Sequence, residues 1–421
     1  MKKIVLFTWL TPTEDNYNGP SALSYHIMKN RPQEYELIIY SINGNHVRND
    51  VITKTAIELR AEIKTIKDTI YNYFHKRYIL ADFRLKIGID KSYGISNYKL
   101  PSKYLKEINH YNPDLIIIFD ENFSTVARQL SNFKLLIWGY DCFPLHYHRL
   151  MYDSYCFKDI QLYTKILKEY KISIFRELEY NNIPCKIAEV GIEDVYYYKK
   201  ITQRNNVKFY PHPHYKVYHK EINLNNKKLS ILISGKYDVY TYTDINNLII
   251  ELDTNSLTLK EKFKFTFIGK TWQPIIDKLL SLGYEVKNIK WAEIYAKEVI
   301  KHDLQIFPIS VGSGTKGKVL DALSMGLLCI GSKIALENIY VKDRHSCFQY
   351  KNIEEIPKIL NFIYENKQTA MKIAENGRQQ ILKWHNPKRI ARLMLDDILT
   401  NDNFEGEEEY CNVINNLKPI L

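Results

Sequence analysis

The stretch Asp303–Ser332, DLQIFPISVGSGTKGKVLDALSMGLLCIGS, constrains the fold of this chain more than any other part of it. Leu304, Ile306, Phe307 and Ile309 make an apolar strand. Gly312, Gly314 and Gly317 then let the backbone turn tightly, and Val319, Ala322, Leu323 and Gly326 repeat at helical spacing before a second apolar strand. A glycine loop of this kind ends at a helix N-terminus. There the first backbone amides lack partners within the helix and the dipole is positive, so the place suits a phosphate or pyrophosphate. Lys316 and Lys318 add positive charge. Asp321 stands about one turn into the helix, on the side opposite Val319 and Leu323, where a carboxylate can accept hydrogen bonds from sugar hydroxyls. The same residues also read as ordinary turn chemistry and as a solvated helix charge paired with Lys318.

At 421 residues the chain exceeds what one hydrophobic core usually organises, so two domains are expected, and 45% apolar content is enough to bury both. The formal charge of +11 suits an anionic partner: nucleic acid, an acidic membrane surface or a phosphorylated substrate. Cys142, Cys156, Cys185, Cys329, Cys347 and Cys411 form no CxxC pair and no regular framework, so neither a zinc site nor a disulfide scaffold is supported and a reducing cytoplasm is expected. Ile4–Leu10 after Met1-Lys2-Lys3 mimics the start of a signal peptide but breaks at Thr11-Pro12, and it reads as the first buried strand. No apolar run approaches the roughly 20 residues of a membrane-spanning helix, so any membrane contact is expected to be peripheral.

Short apolar runs at Ile4–Trp9, Glu36–Tyr40, Asp114–Phe119 and Leu135–Trp138 alternate with helical patterns, which implies βαβ units on a parallel sheet. After Thr202–Tyr218 the pattern restarts, with Ser230–Ser234, Lys264–Gly269, Glu285–Ile289, Leu304–Ile309 and Leu328–Ile330 as strands. The fold class expected is therefore α/β, with two Rossmann-like doubly wound domains facing across a cleft, the place where open α/β sheets bind ligands. Helices are expected over Ile353–Tyr364, Met371–His385 and Pro387–Leu399, followed by an acidic, solvated end from Glu405 to Glu409. From Ile52 the apolar positions Ala56, Leu59, Ile63, Ile66 and Ile70 predict one long amphipathic helix, with Lys54, Arg60, Lys64 and Lys67 on its other surface. Such a helix packs on a core or lies on an anionic bilayer. His212, His214 and His219 sit among Pro211 and Pro213 in an extended loop, which favours hydrogen bonding over metal binding. The 33 tyrosines are spread along the chain with no stacking motif, so no nucleic-acid partner is expected.

Three stretches carry a resemblance: ISVGSGTKGKVLDALSMGLLCIGS, PHPHYKVYHKEINLNNKKLSILISGKYDVYTYTDINNLI and NGRQQILKWHNPKRIARLML. In these the chain resembles the GT-B glycosyltransferases, and within them the large retaining glycosyltransferase family 4. The resemblance implies an N-terminal acceptor-side domain over residues 1–205, an interdomain linker over 206–228 and a nucleotide-sugar donor domain over 229–385. It implies that residues 386–421 form a closing helix and acidic tail that packs back toward the N-terminal domain. By the same resemblance Gly235, Lys236, Gly314, Thr315 and Lys316 would contact the donor diphosphate, Asp321 would bind the nucleotide ribose, and Gly19 in Asn18-Gly19-Pro20-Ser21 would lie beneath the phosphates. At Ser313 many members carry a glutamate that contacts the donor sugar. Asp141, following Tyr140 where the family often has histidine, would contact acceptor or donor sugar, with Asp120 as the second choice.

The function so implied is a hexosyltransferase, moving a sugar with retention from a UDP or GDP sugar to a glycan or lipid-linked acceptor in surface polysaccharide or glycoconjugate synthesis. Pre-placed cations should stabilise the departing diphosphate, a role for Lys236, Lys316 and the helix terminus, with Asp141 as the third catalytic candidate. In retaining members the leaving phosphate is thought to take the acceptor's proton, which fits a sequence without an obvious general base. No D-x-D occurs, so no metal and no cofactor beyond the nucleotide-sugar substrate is expected. A cytoplasmic place, at the inner face of the membrane, follows. A sugar-nucleotide epimerase of the same fold, or a catalytically silent sugar-binding or partner protein, are the alternatives.

Overall fold

A computed structural model describes residues 1–14, 19–70, 72, 94–400 and 406–420. The chain divides into two compact units. One comprises Met1–His148, Lys165–Pro213 and Pro387–Glu407, the other Arg149–Thr164, His214–Asn386 and Glu408–Leu421.

The first unit is built on a parallel sheet. Its strands are β1 (Lys2–Thr8), β2 (Tyr35–Ser41), β3 (Glu62–Thr65), β4 (Leu115–Phe119), β5 (Leu135–Trp138), β6 (Cys185–Glu189) and β7 (Val207–Phe209), in the order β3-β2-β1-β4-β5-β6-β7. Every pairing is parallel, for example Val5 opposite Ile38 on one side and Ile116 on the other. Helices cover both faces of such a sheet, so the central strands are apolar throughout: β4 (LIIIF) and β5 (LLIW) are wholly buried. The helix Pro387–Thr400 belongs to this unit and contributes Ile390, Ala391, Met394, Leu395 and Ile398 to its core.

The second unit repeats the design with β8 (Leu229–Ser234), β9 (Phe263–Ile268), β10 (Glu285–Ile289), β11 (Leu304–Phe307), β12 (Leu328–Gly331) and β13 (Phe348–Gln349), in the order β10-β9-β8-β11-β12-β13. Alternate residues point to opposite faces. Ile231, Ile233, Phe265 and Phe267 therefore join one core, and Leu232 and Ile268 the other. The helix Lys367–Trp384 crosses the helix Gly317–Ser324 at Gly377, where a Cβ would come within 2.9 Å of Leu323 Cδ2 and 2.5 Å of the Ser346 carbonyl oxygen. The glycine sets the close approach that seats the site-bearing helix.

Three departures from the sequence reading concern its basic helix, its acidic end and its linker. The long basic helix expected over Ile52–Ile70 stops at Leu59, and Glu62–Thr65 becomes the edge strand β3. Two causes are visible. Arg60 takes a left-handed conformation, φ 49°, and the buried Arg31 guanidinium donates to the carbonyls of Leu59 and Arg60, capping the helix end. Lys64 then pairs with Glu107 at 3.0 Å, so the basic residues share no single helical face. The acidic end is also more ordered than expected: Gly406–Asn416 is a helix, with the Tyr410 ring 5.0 Å edge-on from Tyr340 and its hydroxyl donating to the Ile339 carbonyl. Glu405 lies outside the described residues. Finally, β7 falls inside the stretch expected as linker and completes the first sheet beside β6.

Candidate functional site

In the second unit, β8 ends at Ser234 and the chain turns through Gly235, whose φ of +129° favours glycine. Gly269, at the end of β9, packs so closely that a Cβ there would meet the Gly235 carbonyl oxygen at 1.8 Å. Trp272 Nε1 donates to that same oxygen at 3.0 Å and fixes the turn. On the other side of Gly235 a Cβ would lie 3.0 Å from Lys318 Nζ. An ammonium therefore stands over the bare strand end, beside Lys236, which follows Gly235 into solvent.

Lys318 lies in the first turn of the helix Gly317–Ser324, whose N-cap residue, Lys316, supplies no side-chain cap. The first-turn amides and the two ammonium groups thus meet at one sheet edge, an arrangement that attracts an anion. Lys318 is open to solvent yet has protein packed close around its ammonium. Burial lowers its pKa, the carboxylates of Asp238 and Asp321 oppose that, and the Lys236 charge adds to it.

Asp321 is buried and its carboxylate accepts no hydrogen bond from the described residues. Burial raises its pKa to about 7, with Lys318 pulling the other way. Such a carboxylate is ready to accept hydrogen bonds from a ligand's hydroxyls. Beside it, Tyr295 shares a 2.7 Å hydrogen bond with Ser234, and Gln305 Nε2 donates to both hydroxyls, a polar shelf under the ends of β8 and β11.

The glycine loop between β11 and the helix has φ of +141° at Gly312 and +64° at Gly314. Ser313, within it, is buried. Lys316 turns inward: its ammonium donates to the carbonyls of Ser313 (2.8 Å) and Gly314 (2.9 Å). So Gly235, Lys236 and Asp321 gather around the strand end, Ser313, Gly314 and Thr315 lie in the neighbouring loop, and Lys316 serves that loop's own carbonyls. Lys318 and Asp238 complete the group; the sequence reading counted Lys318 as charge only and passed over Asp238. Their signal was present, since both lie within a few residues of the glycine turns.

The remaining expected residues belong to the first unit. Gly19 opens the helix Gly19–Lys29 with open space around its Cα, while Asn18 lies outside the described residues. Asp141 follows β5 and is partly buried. Asp120, after β4, adopts φ 118°, a conformation that side chains rarely take, and its Oδ1 accepts from the amide and the side chain of Asn122. Burial raises the Asp120 pKa. Burial also pushes up that of Tyr140, with the Asp120, Glu121 and Asp141 carboxylates adding to it.

Behind them lies a buried charged cluster that the sequence reading missed. Glu121, Glu177, Glu189, Asp194 and Arg176 are all at most 1% exposed. Arg176 pairs with Glu177, lies 3.7 Å from Glu121 and stacks on the Phe143 ring. Gly139, ending β5, is what lets the Glu121 and Glu189 carboxyl groups converge, because a Cβ there would sit 2.2 Å from Glu121 Oε1 and 2.6 Å from Glu189 Oε2. No other group among the described residues donates a hydrogen bond to those four oxygens, which face each other. Burial, with the neighbouring carboxylates, holds both groups well above the usual carboxylate range, so the pair retains protons. Nowhere among the described residues do three or more His, Cys, Asp or Glu side chains form a group fit for a metal. His212 and His214 instead bond the carbonyls of Pro213 and Tyr215, each at 2.8 Å, and burial keeps both rings neutral.

Residues 253–396 match the family model described as glycosyl transferase-like. No curated protein matches the chain in sequence. Among solved structures, HepE from Anabaena in complex with UDP-glucose superposes with a TM-score of 0.61 at 12% identity, covering 95% of this chain and all (100%) of that one. Sucrose-phosphate synthase from Thermosynechococcus elongatus gives 0.64 at 12%, over 94% and 98% of the two chains. A variant of S. aureus TarM, crystallised with fondaparinux, α-GlcNAc-glycerol and UDP, gives 0.59 at 10%, over 96% and 100%. The two parallel sheets and their helices are the GT-B fold of glycosyltransferases.

Proposed function

We propose that this chain, a GT-B fold with a glycosyl transferase-like domain, is a hexosyltransferase. It moves a sugar, with retention, from a nucleotide-diphosphate sugar to a glycan or lipid-linked acceptor in the synthesis of surface polysaccharide or another glycoconjugate. The observation that carries the reading is the convergence of Lys236 and Lys318 with an uncapped helix N-terminus on the bare strand end at Gly235. Cations fixed beside the leaving diphosphate stabilise charge that develops in the transition state, where such groups act most strongly. Asp321 then accepts hydrogen bonds from the ribose hydroxyls, and the 312–315 backbone lies along the diphosphate. Asp141 and Asp120 are the polar groups offered to sugar hydroxyls by the first unit.

UDP-glucose in the HepE complex makes uridine-diphosphate sugars the first donors to try, with guanosine-diphosphate sugars next. Among the described residues no helix is long and apolar enough to cross a membrane. A place in the cytoplasm, against the inner face of the membrane, fits a lipid-linked acceptor. The test is calorimetry with UDP, GDP and a panel of their sugars. One nucleotide should bind at micromolar concentration, and Lys236→Ala and Asp321→Ala should each weaken it at least about tenfold. Absence of binding across the panel, or variants that bind as the wild type does, sinks the reading.

A further inference from the structure

The glycine loop is held from beneath by three charged side chains. Arg149 Nη1 donates to the Gly312 carbonyl at 2.7 Å, and the guanidinium grips both oxygens of Glu337, at 2.6 and 3.0 Å. Lys316 Nζ, bonded to the Ser313 and Gly314 carbonyls, lies 3.6 Å from the same carboxylate. Asn338, next in sequence, donates from Nδ2 to the Gly314 carbonyl at 3.2 Å. Side-chain exposure is 19% for Arg149, 15% for Lys316 and 7% for Glu337, so water screens this network far less than a surface pair.

Three consecutive carbonyls, of Gly312, Ser313 and Gly314, are therefore each engaged by a donor from these side chains. A loop whose carbonyls are tied to donors beneath it does not turn those carbonyl dipoles toward an approaching anion to repel it. The charges do not cancel: two cations face one carboxylate. Glu337 is the element common to both cations, and without it Arg149 and Lys316 would repel each other across the loop's underside.

We propose that Glu337 is a positioning residue for the diphosphate: by gripping Arg149 and Lys316 it fixes the 312–316 loop in its anion-receiving conformation. The inference rests on the nucleotide-sugar reading above. Glu337 itself touches the loop's cations, Arg149 and Lys316.

The experiment compares wild type, Glu337→Gln and Glu337→Asp by calorimetry with UDP and GDP and by hydrogen exchange of peptides covering 310–318. Glu337→Gln keeps the shape and removes the charge. Expected are faster exchange confined to the loop peptides and a loss of diphosphate affinity of about tenfold or more, with both partly restored in Glu337→Asp. Unchanged affinity in Glu337→Gln, whether or not the loop exchanges faster, overturns the proposal and leaves the donor reading standing. A wild type that binds neither nucleotide removes both. Should Glu337→Gln fail to fold, Arg149→Lys decides, since it keeps the charge and loses the two-pronged grip: a loss of affinity supports the proposal and wild-type binding overturns it.

Discussion

The two sheets end in opposite chemistry. At the carboxyl edge of the first, Glu121, Glu177, Glu189 and Asp194 are gathered with almost no exposure to water, and the buried Arg176 lies against Glu121 and Glu177. At the corresponding edge of the second, Lys236 and Lys318 stand open to solvent over a glycine, with Asp238 and Asp321 among them. One architecture thus carries a sealed acidic interior in one copy and an accessible cationic rim in the other. Ligand chemistry is not a property of the parallel sheet. It follows from which charges the strand-end turns carry and from whether a glycine there admits a neighbouring side chain or leaves room for a ligand.

Lys318→Ala tests the cationic rim and should show the largest effect. Affinity for the nucleotide diphosphate should fall about 100-fold while the thermal midpoint stays put, because the ammonium is solvent-facing and makes no hydrogen bond or ion pair among the described residues. A large fall in the midpoint would instead make Lys318 a structural charge and weaken the contrast. Gly139→Ala probes the acidic interior. The added methyl collides with Glu121 and Glu189, and urea denaturation should show a loss of about 1–3 kcal/mol with nucleotide affinity retained.

Glu189→Gln sharpens the same point through pH. A carboxyl whose folded pKa lies above its unfolded value binds more protons when folded, so its stability contribution is fully present below the unfolded value, near pH 4, and is lost as pH rises toward the folded one. The wild type should therefore weaken as pH climbs from about 5 through neutrality, and Glu189→Gln should flatten that slope in denaturation midpoints. An unchanged slope would mean the pair does not hold the protons assigned to it. The smallest effect belongs to Asp321. With a pKa of about 7 it is largely protonated at mildly acidic pH and ionised at mildly alkaline pH. As an acceptor for ribose hydroxyls it should bind nucleotide a few-fold more tightly on the alkaline side, and Asp321→Asn should lose that dependence.

Much of this could be read in the chain. The apolar runs placed β1, β2, β4, β5, β8, β9, β11 and β12, because a strand buried on both faces announces itself by composition alone, while the half-exposed edge strand β10 was read from its place in the strand–helix alternation. The edge strands β3, β7 and β13, short and in part polar, gave no comparable signal, and β6 was missed as well. Glycine spacing pointed to the 312–317 loop, and the family resemblance to Gly235. What they did not reveal was the division of labour between Lys316 and Lys318, two residues of one kind only two positions apart. Their side chains leave the helix start in different directions, one toward loop carbonyls and Glu337, the other toward Gly235.

Sequence alone thus determined the repeated α/β design, the glycine loop that leads into a helix and the carboxylate about one turn into that helix, since these depend on local spacing, and turn chemistry and hydrophobic period are local. Only the tertiary structure decided that Glu121 and Glu189 meet across Gly139, that Arg31 ends the basic helix, and that Arg149 and Glu337 reach under the loop. Those contacts join residues far apart in the chain. Their energies exist only once packing has removed the water between them.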